Sequence, residues 1–83
     1  MSVPDLHPFL VVPRKRGEVA PLLEFMKVAA AQHPETVFVE RTVGGTAAPT
    51  RLVVRATLEA IQALESRYGG ELLIEPDQSL KMS

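Results

Sequence analysis

Hydrophobic residues along this chain switch between two periods, and the order of the switches predicts the fold. Phe9-Leu10-Val11-Val12 is a continuous apolar run rich in β-branched residues and fenced by Pro8 and Pro13, the pattern of a central strand. Arg14-Lys15-Arg16-Gly17 reads as a turn. From Glu18 to Gln32 the apolar residues Val19, Leu22, Leu23, Met26, Ala29 and Ala30 recur at three- and four-residue steps, which predicts a helix buried along that stripe. Pro21 is tolerated only near a first turn, so the helix starts close to it. His33-Pro34 ends it, because the residue before a proline is pushed out of the helical region.

The second half repeats the scheme. Thr36–Val43 reads as a second strand, Gly44-Gly45-Thr46-Ala47-Ala48-Pro49 as a loop, and Arg51–Ala56 as a third strand. The short link predicts an antiparallel hairpin. Thr57 is placed to cap a second helix over 57–68, whose buried face is Leu58, Ile61, Leu64 and Tyr68. Gly69 suits a left-handed residue at its end, and Leu72–Glu75 forms the fourth strand. The order β-α-β-β-α-β, with a right-handed crossover in each half, predicts an α+β ferredoxin-like sandwich: a four-stranded antiparallel sheet with both helices on one face. One domain accounts for 1–83, with a core of about 8–76 and an extended C-terminal tail over 77–83.

Alternation then separates the two faces of the sheet. Leu52, Val54 and Ala56 point one way on the third strand, and Arg51, Val53 and Arg55 the other. On the fourth strand Leu72 and Ile74 oppose Glu71, Leu73 and Glu75. The more polar set faces away from the helices, yet it retains Val53 and Leu73, joined by Phe38 from the second strand. These three residues mark a mixed apolar and charged surface suited to docking another protein.

Composition narrows the function classes. With 46% hydrophobic and 23% charged residues the chain belongs with globular rather than disordered sequences. The net charge of −1 sets up no global field for nucleic acid or anionic lipid. The chain has no cysteine, which excludes disulfides, a thiol nucleophile and thiolate metal sites. No apolar run approaches the ~20 residues of a membrane span. The opening Met1–Pro8 lacks the basic and apolar regions of a secretion signal, so a cytoplasmic location is expected if Met1 is the native start.

Catalytic chemistry finds little to use. His7 and His33 each sit beside a proline at an element end, without a second ligand at metal-binding spacing, and read as exposed loop histidines. Ser66 and Ser79 have no nearby base. Gly44-Gly45 joins two strands instead of opening a helix, so it is no phosphate loop. Arg14-Lys15-Arg16 is the single basic cluster, but the third strand lacks the aromatics with which sheet-based RNA modules stack bases. No enzyme, cofactor, metal, nucleic acid or membrane is expected.

Ala56–Glu65, a helix rich in leucine and alanine, followed by Glu71-Leu72-Leu73-Ile74-Glu75-Pro76-Asp77-Gln78, resembles the propeptides and stand-alone inhibitors of subtilisin-like serine proteases, the inhibitor I9 family. Phe9-Leu10-Val11-Val12 is similar to that family's opening strand, and the family shares the β-α-β-β-α-β sandwich. The loop 44–49 lacks the Asn-Gly-Phe-like signature often found there. The resemblance implies a non-enzymatic inhibitor or folding chaperone of such a protease, with the tail lying in the substrate cleft like a product. Leu80 would fill the P4 pocket, Lys81 P3, Met82 P2 and Ser83 P1. Glu75 and Asp77 would cap the N-termini of protease helices, and the open sheet face would pack on those helices. An extended chain from Gln78 to Ser83 reaches about 20 Å, enough to pass from such an exosite towards a catalytic serine.

A second reading keeps the fold and changes the role: an ACT-like module that binds a small molecule or regulates by pairing open sheets between chains. A third is a structural partner domain. Oligomeric state is left open by the sequence.

Overall fold

A computed structural model describes residues 5–45 and 48–77. Six elements follow one another: β1 (His7–Pro13), α1 (Ala20–Gln32), β2 (Val37–Val43), β3 (Arg51–Ala56), α2 (Leu58–Tyr68) and β4 (Leu72–Pro76). The strands form one sheet in the order β2-β3-β1-β4, and every neighbouring pair is antiparallel. This is the ferredoxin-like arrangement.

Registers decide which side chains meet. Phe9 lies opposite Val54 and Val11 opposite Leu52 on β3, while on β4 Val11 faces Ile74. Those residues all point to the helix side, where they join Leu22, Phe25 and Ala29 of α1 and Ala60, Ile61, Leu64 and Tyr68 of α2 in one buried cluster. Val11, Leu22, Phe25, Leu52, Val54 and Leu72 are wholly excluded from solvent. Burying a large aliphatic or aromatic side chain contributes about 1.5–3 kcal/mol, so this cluster is the main source of stability.

Several expectations need correction. In α1 the buried line is Pro21, Leu22, Phe25 and Ala29, whereas Leu23 is 39% exposed and Ala30 is also exposed. Successive helical residues turn by roughly 100°, which puts Leu23 about 160° and Ala30 about 140° round the helix from Phe25, on its outer side. In α2 Ala60 takes the inward place expected of Leu58, which is 54% exposed. Leu58 opens the helix about 100° from the centre of the line through Ile61, Leu64 and Tyr68.

Gly69 is not left-handed: its φ is −59°. Its lack of a side chain matters for another reason, since a Cβ there would stand 2.6 Å from the Glu65 carbonyl oxygen. The histidines are not exposed loop residues either. His7 opens β1 opposite Ala56, His33 caps the end of α1 by donating its backbone N–H to the Ala29 carbonyl (2.9 Å), and both are half-buried.

Local caps agree with the sequence pattern elsewhere. Thr57 Oγ1 accepts a hydrogen bond from the Ala60 N–H at 3.2 Å, as expected of an N-cap. α1 begins without a side-chain cap and carries Pro21 in its first turn. The β2–β3 loop leaves β2 through Gly44, at φ 93°, and returns where the Thr50 N–H and hydroxyl both donate to the Val43 carbonyl, at 2.7 and 3.1 Å.

Candidate functional site

The face of the sheet opposite the helices carries the residues singled out for docking. Strand registers arrange it in cross-strand rows. Phe38, Arg55 and Pro8 form the first row, from β2 through β3 to β1. Arg41, Val53, Leu10 and Glu75 form the second and cross all four strands. The third contains Val43 opposite Arg51 and Val12 opposite Leu73. The Asp77 N–H donates to the Pro8 carbonyl at 3.0 Å, which extends the β1–β4 ladder by one step beyond the strand.

Phe38, Val53 and Leu73 therefore share one face, each in a different row. Phe38 is 43% exposed at the β2 edge, and Val53 and Leu73 are half-buried. The apolar residues that link them are Leu10, Val12 and Val43, all half-buried. Leu10 and Val12 alternate with the buried Phe9 and Val11, so strand parity along the opening apolar run identifies them. A continuous apolar run means a strand that is apolar on both sides.

Arg41 and Val43 escaped simple alternation for a structural reason. The β2–β3 register shifts between Val39 and Arg41, leaving Glu40 as an extra residue. Such a bulge reverses the side on which later residues point. Arg41 and Val43 are turned to the open face, and Thr42 lies opposite the buried Leu52. Glu40 Oε2 pairs with Arg55 Nε at 2.9 Å, with both side chains about half exposed. A surface pair of this kind contributes about 0–1 kcal/mol.

The charges on this face are unevenly distributed. Arg41 lies on β2, Arg51 and Arg55 on β3, and Glu75 on β4, with Asp77 just beyond. A shallow depression of about 480 Å³ between Leu10, Arg41, Val43, Arg51, Val53 and Asp77 crosses the boundary between the two signs. Of the expected acids, Glu75 is exposed at the end of β4, and Asp77 is partly covered where the chain leaves the sheet. Gln78 and the expected cleft-binding residues Leu80, Lys81, Met82 and Ser83 lie outside the described residues.

Other candidate chemistry is used structurally. Arg14 Nε donates to the Gly69 carbonyl at 2.6 Å and the Arg14 N–H to the Glu71 carbonyl at 2.9 Å, so this residue of the basic cluster fastens the β1–α1 turn to the end of α2. Among the described residues no group of three His, Cys, Asp or Glu side chains lies together as a metal site would require. Among the same residues no helix is long and apolar enough to cross a membrane. An apolar groove of about 450 Å³ also runs between α1 and β2, lined by Met26, Ala30, Pro34, Val37 and Phe38 among others. No family model, curated protein or solved structure matches the chain.

Proposed function

We propose that this protein is a non-enzymatic binding module that inhibits, or assists the folding of, a subtilisin-like serine protease. The observation that carries this reading is the uncovered sheet face, where the half-buried row Val53–Leu10 ends at Glu75 on the strand from which the C-terminal segment departs. A flat apolar patch with carboxylates at one rim matches a target that presents helix N-termini. A carboxylate set against the unpaired amides and positive dipole end of a helix contributes about 0.3–1 kcal/mol, and up to ~2 kcal/mol when partly buried. The resemblance over residues 56–78 assigns that role to Glu75 and Asp77. The same resemblance sends the residues beyond Gln78 into the cleft, where an extended segment gains backbone hydrogen bonds by strand addition.

The test is the rate at which subtilisin hydrolyses a chromogenic peptide in the presence of the full chain. Inhibition at micromolar concentration is expected, together with its loss in a chain ending at Asp77. A full chain that leaves several subtilisin-like proteases uninhibited at that concentration removes the reading. Refolding yield of denatured protease with and without the chain separates the chaperone role from inhibition alone.

A further inference from the structure

We propose that the uncovered sheet face is also a self-association surface, on which a second copy of this chain docks about a two-fold axis parallel to the strands. The ligand here is the chain itself, and the distribution of charge over the face favours it. Glu40 of β2 is paired with Arg55 of β3 at 2.9 Å, so the basic half of the face rests on Arg41 and Arg51, and Glu75 stands on β4 at the opposite edge. A surface that is positive at one edge and negative at the other complements its own rotated copy.

The register specifies the pairing. Rotation about an axis parallel to the strands lays β2 over the fourth strand of the other copy and β3 over its first strand, with the rows kept level. Arg41 then meets the partner's Glu75, Val53 meets the partner's Leu10, and Val43 meets the partner's Leu73. Each contact occurs twice. Aligned sheets packed within about 30° of one another preserve this order of contacts. The other in-plane axis, perpendicular to the strands, lays every strand over its own copy. Arg41 would then face Arg41, and Glu75 would face Glu75. Like charges brought together in this way disfavour that alternative.

The size of the face sets the strength. Four strands ~4.8 Å apart and about six residues at ~3.3 Å each give a footprint of roughly 400 Å². A stable interface buries about 800 Å² per partner, so this dimer is weak and fast, with a dissociation constant of roughly tens to hundreds of micromolar. Protease docking as proposed above uses the same face, so the dimer holds the inhibitor in an occluded form. That last consequence alone rests on the inhibitor reading.

Sedimentation of the full chain without protease tests the dimer by itself. Between about 10 µM and about 1 mM the average mass is expected to rise towards twice the monomer mass, with weaker association at about 500 mM than at about 20 mM salt. Arg41→Glu and Glu75→Arg should each weaken association about tenfold, and the two together should restore it to within about threefold of the parent. If a reversal alters the far-UV spectrum, Arg41→Gln and Glu75→Gln take its place: each should weaken association, and the two together no more than either alone. A monomer at every concentration, or a double reversal no better than either single one, overturns the proposal.

Discussion

Tyr68 poses the sharpest question at the scale of single residues. Its ring is held in the core, tilted 57° to Phe25 with centroids 6.1 Å apart, and the Arg67 guanidinium lies 5.5 Å from its centroid. Its hydroxyl is buried and has no hydrogen-bond partner among the described residues. A buried unpaired hydroxyl costs about 1–3 kcal/mol, whereas the ring contact contributes about 0.5–1.5 kcal/mol. Tyr68→Phe keeps the ring and removes the penalty, so it should raise stability by about 1 kcal/mol in urea unfolding. A loss of similar size would show that the hydroxyl has a partner. Leu52→Ala works in the opposite direction. Leu52 is fully buried in the core, opposite Val11 and Thr42 on the neighbouring strands, and its truncation should cost about 2–5 kcal/mol, enough to unfold much of so small a domain.

Turns and caps govern the next scale, that of elements. Thr57→Ala removes the hydroxyl that accepts from the Ala60 N–H and should cost about 1 kcal/mol, read as a fall in the midpoint of thermal unfolding. Gly44→Ala should also destabilise the fold, because φ there is 93° and a Cβ would lie 3.1 Å from Thr50. All six elements are legible in the sequence, since each is marked by a helical or alternating period or by an apolar run, with a proline, glycine or threonine at a boundary. The missed burials share one cause. A list of apolar residues at three- and four-residue steps does not locate the centre of the stripe: it omits Phe25 and puts Leu23, Ala30 and Leu58 inward. On the open face Val53, Leu73 and Phe38 followed from strand parity, and Leu10 and Val12 were available by the same reasoning. Arg41 and Val43 were not. A one-residue bulge leaves no mark in Thr-Val-Phe-Val-Glu-Arg-Thr-Val, because both registers alternate acceptably and only cross-strand pairing distinguishes them.

For the molecule as a whole, the two faces of the sheet divide the tasks. The helix-covered face supplies stability through a continuous apolar cluster. The other face carries a central apolar strip with opposite charges towards its two edges, a layout suited to reversible contact with a protein surface. In the account proposed here a protease and a second copy of the chain compete for that face, and the C-terminal segment adds affinity only in the first case. The most direct measurement compares inhibition of a subtilisin-like protease by the parent chain and by Val53→Asp, with peptide hydrolysis as the readout and the far-UV spectrum as a check on folding. A charge in the centre of the docking face should weaken inhibition at least about tenfold at unchanged fold. Equal inhibition by the two chains, or none by either, would contradict the claim that this face is where the protein binds.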